Sequence, residues 1–148
     1  MAKEEVNLIQ HLVMKPVILI SAITFFFIML TGFNQDPQLK ESINRGKEVY
    51  ELNCQNCHME DGMGLPDVNP PLAKSDYLKK PTKTLIEIVL KGQSDEITVN
   101  GKKYNAIMPA QDYLSDEQIA DVYNFIRNSW GNKITGTITP AMVTGLRK

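Results

Sequence analysis

Cysteine and histidine are nearly missing from this sequence: its 148 residues include two of each. A structural zinc site takes four protein ligands, usually two Cys pairs or Cys with further histidines. Here both thiols lie together at Cys54 and Cys57, and the only histidine besides His58 is His11, so a zinc centre is not supported. Charge of one sign is also lacking. The formal net charge is -1, with no basic stripe and no acidic tail, which removes the usual signature of a nucleic-acid binder. No internal repeat or low-complexity run occurs. Only one long run is apolar and without charge, at residues 16–33.

What remains is a compact motif, Cys54-Gln55-Asn56-Cys57-His58. This is the pattern of c-type haem attachment. Each cysteine can add to one vinyl group of a haem, and the histidine that follows stands under the ring as the proximal iron ligand. A thioredoxin-like pair has a strand before Cys-x-x-Cys in an α/β pattern, whereas a charged, helical stretch precedes the motif here. The reading is one covalent haem c, bound through Cys54 and Cys57 with His58 on the iron. No thiol is then left for a disulfide, so cysteine usage does not name the compartment.

The chain divides into a leader at 1–15, an apolar run at 16–33, a polar linker at 34–39, a domain at 40–131 and a tail at 132–148. As a helix the apolar run (PVILISAITFFFIMLTGF) would span roughly 27 Å, close to the hydrocarbon thickness of a bilayer. Its leader contains Glu4 and Glu5, and no A-x-A site follows it. An uncleaved transmembrane helix is therefore expected rather than a signal peptide, which is the alternative. Lys3 and Lys15 precede the span, which places the N-terminus in the cytoplasm and the domain on the outer, periplasmic face of the inner membrane. About 110 residues then form one small domain.

In that domain, residues 40–53 read as a helix with Ile43, Gly46, Val49, Tyr50 and Cys54 near one face. Gly46 inside a helix costs about 1 kcal/mol against alanine, and a closely crossing second helix is the simplest reason for it. The Gly- and Pro-rich loop at 59–73 is long enough to wrap the proximal side, where a proline carbonyl could accept from the other nitrogen of His58. Residues 82–91 read as a helix ended by Gly92. Asn100-Gly101, flanked by 97–99 and 102–104, predicts a small, exposed hairpin. Residues 115–130 form the strongest helical pattern: Ser115 and Gln118 make a capping box, Leu114 can staple onto Ile119, and Ile119, Val122, Tyr123, Ile126 and Trp130 share a face that Asp121 avoids. The tail from Gly131 has no strong period.

The iron's second axial position is found by elimination. His11, Met1, Met14 and Met29 lie before or within the apolar run, Met59 adjoins His58, and Met63 is close to it. Met108 and Met142 remain. Met108 is favoured for its distance along the chain and for the stiffening Pro109, with Met142 or an open position as alternatives.

The order of helix, Cys-x-x-Cys-His, proline loop, helix, Met-Pro and C-terminal helix resembles the class I, monohaem cytochrome c family from about Leu39 to Trp130. Gly46-xxx-Tyr50-xxx-Cys54 matches that family's N-terminal helix, and residues 122–126 resemble the C-terminal helix that it packs against. Asn69-Pro70-Pro71-Leu72 is similar to the haem-contacting proline segment. The resemblance implies Pro70, or failing that Pro71, as the partner of His58, and Met108 as distal ligand. The hairpin before Ala106-Ile107-Met108-Pro109, with residues 128–132, is also similar to small haem domains accompanying copper nitrite reductases, membrane alcohol dehydrogenases and terminal oxidases. There is no lysine-rich face of the mitochondrial type.

The expected protein is thus an all-α cytochrome c-like domain with one small hairpin, behind a single transmembrane helix. It would carry single electrons to or from a larger redox enzyme or respiratory complex, with apolar packing of Ile107, Ile119, Val122 and Ile126 around the haem and no small-molecule substrate. A fixed subunit of a respiratory or dehydrogenase complex is the alternative. A gas sensor or peroxidase would need an open iron site, and Met108-Pro109 argues against both.

Overall fold

A computed structural model describes residues 36–147. The apolar run at 16–33, its leader and the first part of the linker lie outside the described residues. Among the described residues no helix is long and apolar enough to cross a membrane. In chain order the domain contains α1 (Pro37–Asn53), a one-turn α2 (Gln55–His58), a 3-10 turn (Asp76–Lys79) and α3 (Thr82–Lys91). The strands β1 (Ile97–Val99) and β2 (Lys102–Tyr104) follow, then α4 (Asp116–Asn128) and a short α5 (Pro140–Thr144).

Helix α1 starts at Pro37 rather than Lys40, taking in part of the expected linker. Asp36 is its N-cap, accepting from Gln38 N at 3.0 Å, and Pro37 fills the first turn, where a missing N–H costs nothing. The capping box of α4 is present in both directions: Ser115 Oγ accepts from Gln118 N at 3.1 Å, and Gln118 Oε1 accepts from Ser115 N at 2.9 Å.

Helices α1 and α4 cross at Gly46. A Cβ there would lie 1.9 Å from the carbonyl oxygen of Asp121 and 2.9 Å from Phe125 Cβ, so the crossing requires glycine. Val49 and Tyr50 of α1, Ile119, Val122 and Ile126 of α4, and Leu85 and Ile86 of α3 form the buried centre.

Asp121 is buried, contrary to the helical pattern, which set it on the solvent side. The carboxylate has partners on α1: it accepts from Ser42 Oγ at 2.5 Å, Arg45 Nε at 2.6 Å and Arg45 Nη2 at 3.0 Å. Charge-assisted bonds of this kind offset the cost of removing it from water.

The tail, described over 132–147, is also not a loose extension. Ile138 and Val143 are buried in the same core, each contributing about 1.5–3 kcal/mol by burial. Asn124 of α4 grips the tail through both sides of its amide, donating to Ile138 O and accepting from Ile138 N, each at 2.9 Å. Arg147 Nε reaches back to Asp116 Oδ1 at 2.5 Å.

The hairpin has Asn100 at φ 50° and Gly101 at φ 78°, both in the left-handed region that a tight two-residue turn demands. It is better anchored than expected. Val99 and Tyr104 are buried, and Asn100 and Asp76 exchange two bonds, Asn100 N to Asp76 Oδ1 at 2.8 Å and Asp76 N to Asn100 Oδ1 at 3.0 Å.

Candidate functional site

The site is an apolar cleft walled in part by α3 and α4. One helical turn places the motif at its edge. Cys54 caps α2, and its carbonyl accepts from Cys57 N at 3.1 Å and His58 N at 3.0 Å. Residues three and four apart on a helix share a face, so Cys54, Cys57 and His58 all line the cleft, Cys57 exposed and Cys54 half-buried.

The loop after His58 doubles back on itself. Gly64 N donates to His58 O at 3.0 Å, and Gly62 O accepts from Leu72 N at 2.7 Å and Ala73 N at 2.9 Å. Gly64 has φ +68°, and a Cβ on it would meet Asn69 O at 2.3 Å and Pro70 O at 2.7 Å. Only glycine lets the returning strand come this near. The consequence is a contact of 3.1 Å between Pro70 O and His58 Nδ1. A carbonyl can only accept, so Nδ1 carries the proton and Nε2 keeps a free lone pair. Pro71 also lines the cleft, but the bond to His58 is made by Pro70. Burial lowers the pKa of His58, partly countered by the Pro70 bond, which favours the neutral, ligating ring.

Met108 reaches the cleft from another segment. Its backbone is paired with Gln93, N to O in both directions at 2.9 Å. Gly92, with φ +78°, makes room for it: a Cβ there would stand 2.6 Å from Met108 O. Among the described residues Met108 is the methionine that lines the cleft. Met63 and Met142 are 57% and 48% exposed and lie elsewhere on the surface.

The remaining walls are apolar, from Leu78, Leu85, Val89, Val122 and Ile126. One expectation about them needs correction: Ile119 is buried in the core but does not line the cleft, whereas Ile107 does line it, while 75% exposed. Tyr77, Leu78 and Tyr104 were not anticipated as lining residues. Ser75-Asp76 ahead of an apolar pair was the available signal for the short turn that delivers the first two.

The donor set suits a haem. Two thiols, a neutral imidazole with a free Nε2, a soft thioether and apolar walls meet in one cleft. It does not suit zinc. A structural zinc takes four protein ligands, whereas the His and Cys side chains lining the cleft among the described residues are Cys54, Cys57 and His58.

Fold and cleft together define a class, a small helical domain built to hold a covalent haem for electron transfer. The chain belongs to the cytochrome c family: residues 43–130 match the family described as Cytochrome c.

It is similar to the cytochrome c subunit of a quinone alcohol dehydrogenase from Gluconobacter oxydans, 38% identical over 70% of this chain and 22% of that protein. The gluconate 2-dehydrogenase cytochrome c subunit of Pantoea cypripedii is 39% identical over 80% of this chain and 29% of its own length. Cytochrome c-552 of Thermus thermophilus is 38% identical over 59% of this chain and 69% of that protein. The chain thus spans under a third of the dehydrogenase subunits that it matches.

Proposed function

We propose that the chain carries single electrons on one haem c, attached through Cys54 and Cys57, with His58 and Met108 as axial ligands. The observation that carries this reading is the convergence of His58, its Nδ1 engaged by Pro70 at 3.1 Å, and Met108 on one apolar cleft. A haem c held there supplies a reversible ferric–ferrous couple, with a methionine ligand raising its potential.

The chain's own residues do the rest. His58 offers Nε2 while Pro70 fixes its tautomer and raises its basicity. Met108 is held by the Gln93 bridge, so its thioether needs little reordering when the redox state changes. Leu78, Leu85, Val122 and Ile126 keep water from the buried side. Exposed Cys57 marks the edge at which a partner can approach.

The partner is a larger redox enzyme, a reading supported by the similar subunits of alcohol and gluconate dehydrogenases. Because those relatives are named as subunits, a fixed place in such a complex is the second reading. The apolar run at 16–33 supports an anchor in the inner membrane, with the domain on its outer face. Tethering would raise the local concentration of carrier at the partner.

The test is the purified holoprotein. Intact mass should show one haem that survives denaturation, and the ferric form should show a weak near-infrared sulfur-to-iron band. Readily formed carbon monoxide binding in the wild-type ferrous protein would instead favour an open iron and a sensor.

A further inference from the structure

Residues 130–132 do more than end a helix. Trp130 and Gly131 both have left-handed backbone, φ 51° and 82°. For an aromatic residue that conformation is unfavourable and persists only where surrounding contacts impose it.

The contacts are specific. Trp130 Nε1 donates to Glu60 O at 3.1 Å. Its ring lies against Gly62 so closely that a Cβ there would be 2.6 Å from Cε3. Tyr50 and Phe125 hold the ring from the other side, with centroids 4.9 Å and 5.2 Å away, and Tyr50 itself donates to Met59 O at 2.7 Å. Trp130 therefore fastens the outgoing limb of the loop that follows His58.

Asn132 fastens the returning limb. It is buried, and its amide makes three bonds: Nδ2 donates to Leu72 O at 2.9 Å and to Ile126 O at 2.8 Å, and Oδ1 accepts from Lys74 N at 2.8 Å. Ile126 belongs to α4, so the amide ties the loop to the most deeply packed helix. The two limbs meet at Gly62 O, which accepts from Leu72 and Ala73, and Pro70 sits just inside that junction.

We propose that Trp130 and Asn132 form a brace that sets the position of the Pro70 carbonyl and, through it, the electron-donating strength of His58. This rests on the reading of His58 as an axial ligand. Trp130 and Asn132 are positioning residues, since neither lines the cleft. A firm Nδ1–H···O bond makes the imidazole more basic and so favours the ferric state. Loosening the brace should raise the reduction potential.

The test uses full-length holoprotein. Asn132→Leu adds no charge and keeps a side chain of similar size but loses all three bonds, and Trp130→Phe keeps a ring on Gly62 but loses the bond to Glu60. Val143→Ala is the control, because it thins the same core at α5 without touching the loop. Three readouts are taken: reduction potential, exchange rate of the His58 Nδ1 proton in the ferrous protein, and melting temperature.

In both brace variants the proton should exchange at least tenfold faster and the potential should rise, Asn132→Leu showing the larger effects. Val143→Ala should lose melting temperature and leave the other two unchanged. Wild-type potential and exchange in both brace variants, or equal shifts in Val143→Ala, would overturn the brace. If wild-type His58 shows no haem-induced resonance shift, the ligand reading itself fails, and the brace falls with it. Should Asn132→Leu not fold, Trp130→Phe alone decides between these outcomes.

Discussion

Gly46 of α1 lies directly against the backbone carbonyl of Asp121 in α4, leaving no room for a methyl group between the helices. The carboxylate of that same Asp121 is clamped by Ser42 and Arg45 of α1. One residue thus supplies both the backbone that Gly46 packs against and the polar lock of the crossing.

Gly46→Ala should therefore destabilise the domain. Helix propensity alone would favour alanine by about 1 kcal/mol. A Cβ placed 1.9 Å from a carbonyl oxygen forces the helices apart, and overpacking of this kind typically costs about 1–3 kcal/mol or more. The net change should be a loss, read as a lower denaturation midpoint of the holoprotein. A midpoint at or above wild type would show that the crossing can yield.

Met108→Ala should remove the near-infrared sulfur band, lower the potential and open the iron to carbon monoxide or cyanide. Haem should stay attached, because the thioethers belong to Cys54 and Cys57. Gly92→Ala should weaken the same band without touching the sulfur, since its Cβ would collide with the Met108 carbonyl. Met142→Ala, far from the cleft, should change none of these. Loss of the band in Met142→Ala and its retention in Met108→Ala would reverse the assignment.

Asp116 offers a pH test. The Thr144 hydroxyl bond, followed by the Arg147 guanidinium, holds its carboxyl below the ordinary aspartate range. A depressed folded-state value stabilises the protein above the unfolded pKa, about 3.9, and that contribution is lost as pH falls through the folded value. The tail should therefore loosen from its Asp116 anchor only below about pH 4. An NMR titration of the Asp116 carboxyl should show a low value that rises in Thr144→Val and Arg147→Ala. An ordinary value in the wild type would mean that the contact does not persist in solution.

The anchor proposal has its own measurement. The native protein should retain residues before Asn34 and stay with membranes through a high-salt wash. An intact mass corresponding to a start beyond the apolar run would identify that run as a cleaved signal peptide.

Much of the architecture was legible wherever a local rule governed it. Ser115 and Gln118 announce a helix start, Asn100-Gly101 a turn, and Gly46 a close crossing, because each feature is decided within a few residues. Asp121 was misread for the opposite reason. Periodicity assigns a carboxylate to the solvent side, whereas its partners Ser42 and Arg45 come from a remote helix. The tail shows no helical period because Ile138 stands between threonines and Ala141-Met142-Val143 is too short a run to set one. Asn132 was equally silent, since nothing local reveals that one amide will satisfy Leu72, Lys74 and Ile126.

The paired backbone of Gln93 and Met108 closes residues 94–107 into a loop with a narrow neck. Everything beyond the neck, including the hairpin, forms one flap that the Asn100–Asp76 pair fastens to the domain. Ile97, Val99 and Tyr104 on that flap line the cleft, whereas the backbone of Met108 is held at the neck itself. Lengthening or trimming the flap would change how much solvent reaches the cleft while the methionine keeps its anchorage, and lengthening a closed loop costs little, about 0.6 kcal/mol per doubling. Solvent access and ligand position are thus two separately adjustable settings in this domain.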